Sequence, residues 1–415
     1  MDWSFLIEGK DAMCVSTDTR NLPDGCIFVA LKGESFDGNT FALQALQQGA
    51  SLAIVDDEQV YNSIQASGEY SVLLVENSLL ALQDLARAWR RHWGKQIIGI
   101  TGTNGKTTTK ELMATVLNTR YKTHYTRGNL NNSIGVPLTL LQLTTEHELA
   151  IVEMGASHPG DIKELVDIAE PDCGLITNVG KAHLQGFGSF EGVMHTKAEL
   201  YDYMREHGGF CFRNTDNPYL TQMAGELKTI AYTTGTMPEG TQLVGAYNSE
   251  NIQAALCVGE YFGISREDGL KAIRAYVPSN NRSQRMVTER NTLIVDAYNA
   301  NPTSMQAALE AFCRQQSAIS QEPRAKSQCY ILGAMRELGE YSHTEHQNIV
   351  NILLERKADS VFLVGDEYRE TTAPYPIYST VDELCEQLKA QPLSGCTILI
   401  KGSRSNKLEK VLPLL

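Results

Sequence analysis

No stretch of this 415-residue chain reaches the ~18 consecutive apolar residues of a membrane span. Residues 1–10 lack the basic-then-apolar order of a secretory signal. Basic charge is not in excess either: 36 Lys+Arg against 49 Asp+Glu leave a formal net charge of −13. That argues against a general nucleic-acid or anionic-membrane binder, which needs a cationic surface. A local basic pocket for a phosphorylated substrate remains compatible with it. Cysteine is present but without pattern. Cys14, Cys26, Cys173, Cys211, Cys257, Cys313, Cys329, Cys385 and Cys396 are odd in number and scattered. They supply neither a CxxC metal pattern nor a disulfide framework, so buried thiols in a reducing cytoplasm are expected. Short-period repeats, low-complexity tracts and long charge runs are absent.

What is there is the composition of a globular protein. Hydrophobic residues make up 42% and charged residues 20%, too apolar for a mostly disordered chain. At roughly 100–200 residues per domain, the length suits two to four domains.

Short apolar runs alternate with helical patterns in three blocks. Strands are expected at 26–30, 52–55 and 72–75, with helices at 40–48 and 78–92 and Ser78 as an N-cap. The second block places strands at 96–100, 149–152 and 174–177 and helices at 107–119, 161–170 and 190–207. It ends near Tyr276-Val-Pro278, where Pro-Ser-Asn-Asn breaks the pattern. The third has strands at 293–295, 330–332, 361–364 and 397–400 and helices at 304–316 and 344–357. Such alternation gives mainly parallel sheets covered by helices, so the expected class is α/β with three domains.

The strongest local signal is Gly99-Ile-Thr-Gly-Thr-Asn-Gly-Lys-Thr-Thr108, lying between a strand and a helix. Its glycines let successive N–H groups face phosphate oxygens, and the helix adds its positive end. Lys106 can reach the outer phosphates, and the Thr107 hydroxyl can ligate Mg²⁺. Strict P-loop spacing is not met, because five residues separate Gly99 from Gly105; the loop is a variant, with Gly102 inside it. Glu153 ends an apolar strand, the usual place for a Mg²⁺-directed carboxylate. Taken alone, His183 in its Gly-rich loop would be a structural or surface histidine, and Lys197 on the next helix a solvated cation.

Together with the later blocks, Thr101-Gly-Thr-Asn-Gly-Lys-Thr-Thr108 resembles the Mur ligase family, over essentially the whole chain. Ser16-Thr-Asp-Thr-Arg20 and Gly25-Cys-Ile-Phe-Val-Ala-Leu-Lys-Gly33 are similar to its uridine-nucleotide domain. Gly128-Asn-Leu-Asn-Asn-Ser-Ile-Gly-Val-Pro137 and Ala182-His183 resemble central-domain motifs. Asp296-Ala-Tyr-Asn-Ala-Asn-Pro-Thr-Ser304 is similar to the branch that adds D-alanyl-D-alanine, and Gly333-Ala-Met-Arg-Glu-Leu-Gly-Glu340 and Lys401-Gly-Ser-Arg404 strengthen the match.

The resemblance implies a UDP-sugar-binding domain at 1–94, a central P-loop ATPase-type domain at 95–277 and a C-terminal Rossmann-like ligase domain at 278–415. It implies ATP on Gly102, Thr103, Asn104, Gly105, Lys106, Thr107 and Thr108. One Mg²⁺ would sit at Thr107 and Glu153, and a second with His183 and a carbamylated Lys197. Lys106, Lys197 and His183 would be the catalytic groups. Asn248 would lie beside adenine, Arg282 near the nucleotide and Asp296 near the ribose. Thr19, Arg20, Lys32, Gly33 and Asn132 would contact the nucleotide-linked substrate, and Asn299 and Asn301 the incoming dipeptide.

The implied activity is ATP-dependent ligation of D-Ala-D-Ala to a UDP-linked muramoyl tripeptide through an acyl phosphate, by a cytoplasmic monomer. The third residue of that peptide, diaminopimelate or lysine, stays open. A diaminopimelate- or lysine-adding relative is the nearest alternative, which residues 296–304 oppose. A folylpolyglutamate synthase would lack the nucleotide-sugar domain, and a P-loop switch would use ATP only conformationally. Three positions depart from the family pattern: Ala334 stands where many members carry Asp, Asn214-Thr-Asp-Asn217 replaces a doubled acid, and 232–243 is short.

Overall fold

The structure is a computed structural model that describes residues 1–243, 245, 247–278, 282–314 and 327–415. Its strands form three sheets. The first runs β1 (Val15–Ser16), β2 (Ile27–Val29), β3 (Leu52–Val55), β4 (Val72–Leu74), all parallel. Strands β5 (Gln96–Thr101), β6 (Thr123–Tyr125), β7 (Leu149–Glu153), β8 (Cys173–Ile176), β9 (Phe210–Asn214) and β10 (Thr229–Tyr232) make the second, also parallel, in the order β10-β9-β8-β5-β7-β6. The third comprises β11 (Gln284–Val287), β12 (Thr292–Asp296), β13 (Ser327–Gly333), β14 (Ser360–Val364), β15 (Ile377–Tyr378) and β16 (Cys396–Lys401). Its order is β11-β12-β16-β13-β14-β15, with only β11 antiparallel. Three α/β domains were the expectation, and the strands form three sheets.

The helix Ser78–Trp93 fastens the first sheet's unit to the second. Leu82, Leu85 and Trp89 are buried on its inner face, and each buried leucine contributes about 1.5–3 kcal/mol. Trp89 Nε1 donates to the Leu143 carbonyl at 3.1 Å and Trp93 Nε1 to that of Thr144 at 2.9 Å, so both rings bury without an unpaired donor. The helix is capped by Asn77, whose side chain accepts from the Leu80 amide at 2.9 Å. Ser78, expected as the cap, is the first helical residue.

A second correction concerns cysteine. Parallel pairing sets Val15 opposite Ile27, which brings the preceding residues, Cys14 and Cys26, together with Cα atoms 4.6 Å apart as a disulfide. Twelve residues of separation conceal a pair that strand register makes adjacent. The other seven cysteines are free, and all but Cys313 are buried.

The helix expected at 304–316 is seen as Pro302–Arg314; residues 315–316 lie outside the described residues, as does 279–281 in the expected break. After Tyr232 no strand is described before the helix Asn248–Tyr261. Among the described residues, no helix is long and apolar enough to cross a membrane.

Candidate active site

In the second sheet the chain passes from β5 out to β6, back to β7, and then across to β8. The carboxyl ends of β5, β7 and β8 therefore meet where strand order reverses, the crevice in which open α/β sheets bind ligands. The third sheet presents the ends of β12 and β16 to the same space, with Asp296 and Lys401 opposite each other in register. A cavity of roughly 760 Å³ lies between them, lined from both sides.

The loop after β5 turns at Gly102 and Gly105, with φ of 138° and 80°. A Cβ at Gly102 would lie 2.0 Å from Thr177 Oγ1, and one at Gly105 would lie 2.5 Å from Asn251 Oδ1. Both glycines are thus required by close approach as well as by φ. The loop following β8 grips the first: Thr103 N donates to the Asn178 carbonyl at 3.0 Å, and Thr177 Oγ1 to the Asn104 carbonyl at 2.6 Å. The helix Lys106–Leu117 starts at Gly105, so its positive end opens onto the cavity. Lys106 Nζ donates to the Gly102 carbonyl at 2.7 Å. Burial lowers its pKa, with the Arg282 charge acting the same way and Glu153 opposing.

Glu153 ends β7, buried beneath this loop. Its Oε1 accepts from Thr107 Oγ1 at 3.1 Å and from Asn131 Nδ2 at 2.9 Å. Oε2 has no hydrogen-bond donor; its neighbour is the ammonium of Lys110 at 3.3 Å, an ion pair rather than an aligned hydrogen bond. A buried carboxylate oxygen that makes no hydrogen bond, set beside a threonine hydroxyl, is a donor set suited to a hard cation. Lys110 is 1% exposed and lies one turn beyond Lys106. Its spacing from Lys106 was the only available sign of this role, since it otherwise reads as a helix lysine.

His183 lines the cavity, whereas Lys197 is buried and is not among the lining residues. Lys197, on the helix Phe190–Glu206, is 2% exposed, with Nζ 5.6 Å from the Phe187 ring centre and no acceptor among the described residues. Burial drives its pKa well below the ordinary lysine value, and the nearby Lys106 charge adds to this against Asp161 and Glu199. His183 is hydrogen-bonded through Nδ1 to Glu337 of the third sheet's unit. Its pKa is lowered chiefly by burial, opposed by Glu337 and reinforced by Lys106 and Lys197.

Across the cavity, the Arg282 guanidinium stacks 3.7 Å from the centre of the Tyr298 ring, and its buried Nε has no hydrogen-bond partner among the described residues. Asp296 is engaged: Lys401 Nζ donates to Oδ2 at 2.6 Å and Ser283 N to Oδ1 at 3.3 Å. Lys401, fully buried and expected only as part of a matching motif, is the counter-ion. Asn248 and Asn299 line the cavity. Asn301 is not among the lining residues. Its amide donates to Asn104 Oδ1 at 2.8 Å and accepts from Ser304 N at 2.8 Å, tying the phosphate loop to the C-terminal unit and capping a helix. Asn132 lines the cavity but also accepts from Gly135 N at 2.8 Å.

Thr19, Arg20, Lys32 and Gly33 are not part of this cavity. They lie on the first sheet's unit, where Arg20 pairs with Asp18 at 2.7 Å and Lys32 with Asp56 at 3.1 Å. Ala334, where an acid was the familiar choice, is fully buried; its Cβ sits 2.5 Å from where one would stand on Gly365. Asn214 donates to Thr234 Oγ1 at 3.1 Å and Asn217 caps a helix.

Known proteins are similar to this chain in sequence and in fold. The Mur ligase middle domain matches residues 100–241, the domain described as Mur ligase, glutamate ligase domain matches 281–404, and that described as Mur ligase family, catalytic domain matches 12–90. The UDP-N-acetylmuramoyl-tripeptide--D-alanyl-D-alanine ligase of Bacillus subtilis is 36% identical, covering 96% of this chain and 92% of the relative. That of Escherichia coli is 32% identical over 99% and 95%. Among solved structures, the MurF ligase from Thermotoga maritima in complex with ADP superposes with a TM-score of 0.83 at 27% identity, covering 98% of each chain. MurF from Acinetobacter baumannii gives 0.81 at 29%, covering 96% and 92%. The chain belongs to the Mur ligase family.

Proposed function

We propose that this chain joins D-alanyl-D-alanine to a UDP-N-acetylmuramoyl tripeptide, using ATP to form an acyl phosphate, in peptidoglycan precursor synthesis. One observation carries the reading: a single cavity gathers Lys106, Glu153 and His183 from the central unit with Arg282, Asp296 and Asn299 from the C-terminal one. The relatives named for this activity match over nearly the whole chain.

Joining a carboxylate to an amine in water requires an activated acyl group. The carboxylate and the γ-phosphate must then meet as anions, and at 4 Å their repulsion is roughly 4 kcal/mol at an effective dielectric near 20. Lys106, released from its loop carbonyl, places a cation on the phosphoryl oxygens. The loop amides of residues 102–108 and the helix start behind them hold the phosphates. Thr107 and Glu153, whose Oε2 makes no hydrogen bond, would hold one Mg²⁺, and His183 and Lys197 a second. When bound, these ions neutralise charge on the transferring group. Lys197 suits carbamylation because burial disfavours its charged form: the lone pair of the neutral amine adds to CO₂, a proton leaves, and a hard anionic oxygen ligand results.

Asn248, Arg282 and Asp296 take the nucleoside, with Arg282 Nε, which has no partner among the described residues, as a donor. Asn299 and Asn132 face the peptide ends, and Asn301 acts by holding Asn104. Thr19, Arg20, Lys32 and Gly33 receive the uridine nucleotide. Units 1–94, 95–277 and 278–415 divide these tasks. The dipeptide amine, once neutral, attacks the acyl carbon, and phosphate departs. A site built between units excludes water from a hydrolysable intermediate. The cytoplasm, where ATP is supplied, is the compartment this reading requires, and the chain works there as a monomer.

The test supplies UDP-linked tripeptides ending in diaminopimelate or lysine, with D-Ala-D-Ala and ATP. Product mass should rise by the dipeptide less water, with one phosphate released per product. Phosphate release that ignores either acceptor would instead indicate an ATP-driven switch.

A further inference from the structure

The loop after β8 is held by three separate segments of the C-terminal unit. Lys181 N donates to Thr303 Oγ1 at 2.9 Å, and Lys181 Nζ pairs with the buried Glu345 at 2.7 Å. Gln185 N donates to the Glu337 carbonyl at 3.2 Å, while the Glu337 side chain takes the His183 ring. His183 and Glu337 are also both non-glycine residues in the left-handed region, with φ of 49° and 61°. That conformation is costly for L side chains and persists where surrounding contacts determine it. Two such residues facing each other across a unit boundary mark a constructed contact.

An ionised carboxylate can only accept, so a neutral imidazole bonded to it through Nδ1 must carry its proton there. Nε2 then keeps its lone pair. A carboxylate behind a histidine is the standard means of presenting one ring nitrogen to a metal. Without such a partner, a neutral histidine in water favours the opposite tautomer, with the proton on Nε2.

We propose that Glu337 is a positioning residue: it fixes the Nδ1–H tautomer of His183, and so readies the second-cation position only when the C-terminal unit is docked. The inference rests on the two-cation reading above and assigns Glu337 no contact with substrate. It makes domain docking and metal readiness a single event, because the orienting carboxylate and the ligand come from different units.

The full chain, labelled with ¹⁵N-histidine, tests this by the Nδ1 and Nε2 shifts of His183, assigned through loss of its signals in His183→Gln. Mn²⁺ titrated with a non-hydrolysable ATP analogue reports each cation position. Wild type should show Nδ1–H and two Mn²⁺. Glu337→Ala, at an exposed site with the same backbone demand, should unfold as wild type does, move the proton to Nε2 and weaken the second Mn²⁺ about 10–100-fold. Glu337→Gln, whose amide oxygen still accepts, should restore the tautomer and most of the affinity. Retention of Nδ1–H in Glu337→Ala, or an unchanged second Mn²⁺, would overturn the proposal. A single Mn²⁺ in wild type would overturn the two-cation reading, and the proposal with it, before any variant is compared.

Discussion

Arg20 and Lys32, on the first unit, lie at the surface beside acidic partners, the guanidinium with 89% of its side chain exposed. Lys106, Lys110 and Lys197, on the central unit, are turned inward, the last two at 1% and 2% exposure. Exposed pairs are screened by water and salt and exchange partners at little cost. Buried amines are held by the fold, so their protonation and charge are set by a few neighbours. On the proposed function, recognition at the first unit would be shared among many weak contacts, whereas chemistry at the second would depend on single groups. Substitutions in the two regions should fail differently.

The largest effect is expected from Lys106→Ala. Removing the cation that meets the phosphoryl oxygens should cost 10²–10³-fold in kcat, roughly the loss for one transition-state donor. The fold should survive, because the loop's path is set by Gly102, Gly105 and the grip of the 177–178 segment. Phosphate release at saturating substrates, with a urea unfolding curve alongside, reads both; wild-type turnover would remove Lys106 from the reaction.

Lys197→Ala should come close behind. If the carbamate supplies a ligand oxygen, the variant loses most turnover and regains part of it when formate or acetate is added. Stripping bicarbonate should lower wild-type activity at constant pH, a control that separates this step from protonation of the attacking amine. Near-normal turnover in Lys197→Ala without added acid would leave the residue as a buried lysine stacked on Phe187.

What could be read from the sequence follows the range over which each signal acts. Apolar runs gave the central strands, and glycine spacing with Lys106 and Thr107 marked the phosphate loop, because these are properties of neighbouring residues. Glu153 was legible as a strand-end acid; its partner Lys110, 43 positions earlier, was not, since a buried lysine and a solvated one share the same helical pattern. The Glu337–His183 contact spans 154 positions and exists only once two sheets are packed. Cys14 and Cys26 escaped for a related reason: strand register, rather than spacing, pairs them. Edge strands such as β10 and β11 are half exposed and carry mixed side chains, so neither alternation nor an apolar run announces them.

Acid titration sharpens the contrast between units. His124 is buried against the Thr139 carbonyl at 3.0 Å, and its pKa is pushed down to about 4, chiefly by burial, with His147 and Arg127 adding. Its unfolded value is near 6.5. The unfolded state thus binds the proton first, and this histidine's contribution is whole above pH 6.5 and lost as pH falls toward 4. The loss amounts to about 3 kcal/mol. His124→Gln should flatten the stability profile across that window, measured by urea midpoints. On the first unit, Arg20 holds Asp18 down to about 2, so any change there begins only below pH 4. A profile unchanged in His124→Gln would show that another group drives the acid loss.

Arg20→Ala should give the smallest effect. Its guanidinium binds a carboxylate two residues away, through Nε at 2.9 Å to Oδ1 and Nη2 at 2.7 Å to Oδ2, and otherwise faces solvent. The unfolding midpoint should not move. Asp18 still accepts from the backbone amide of residue 20 at 2.9 Å, so the turn keeps its local bond. If this arginine turns to the uridine diphosphate when the substrate arrives, KM for the UDP-linked peptide should rise up to ~10-fold with kcat unchanged, the mark of an interaction made equally in ground and transition states. The salt dependence of that KM should also weaken, because one exposed cation no longer meets the phosphates. A fall in kcat with KM constant would place Arg20 among the groups acting in the reaction and erase the division between the two regions. An unchanged KM would move nucleotide recognition to other residues of the first sheet's unit.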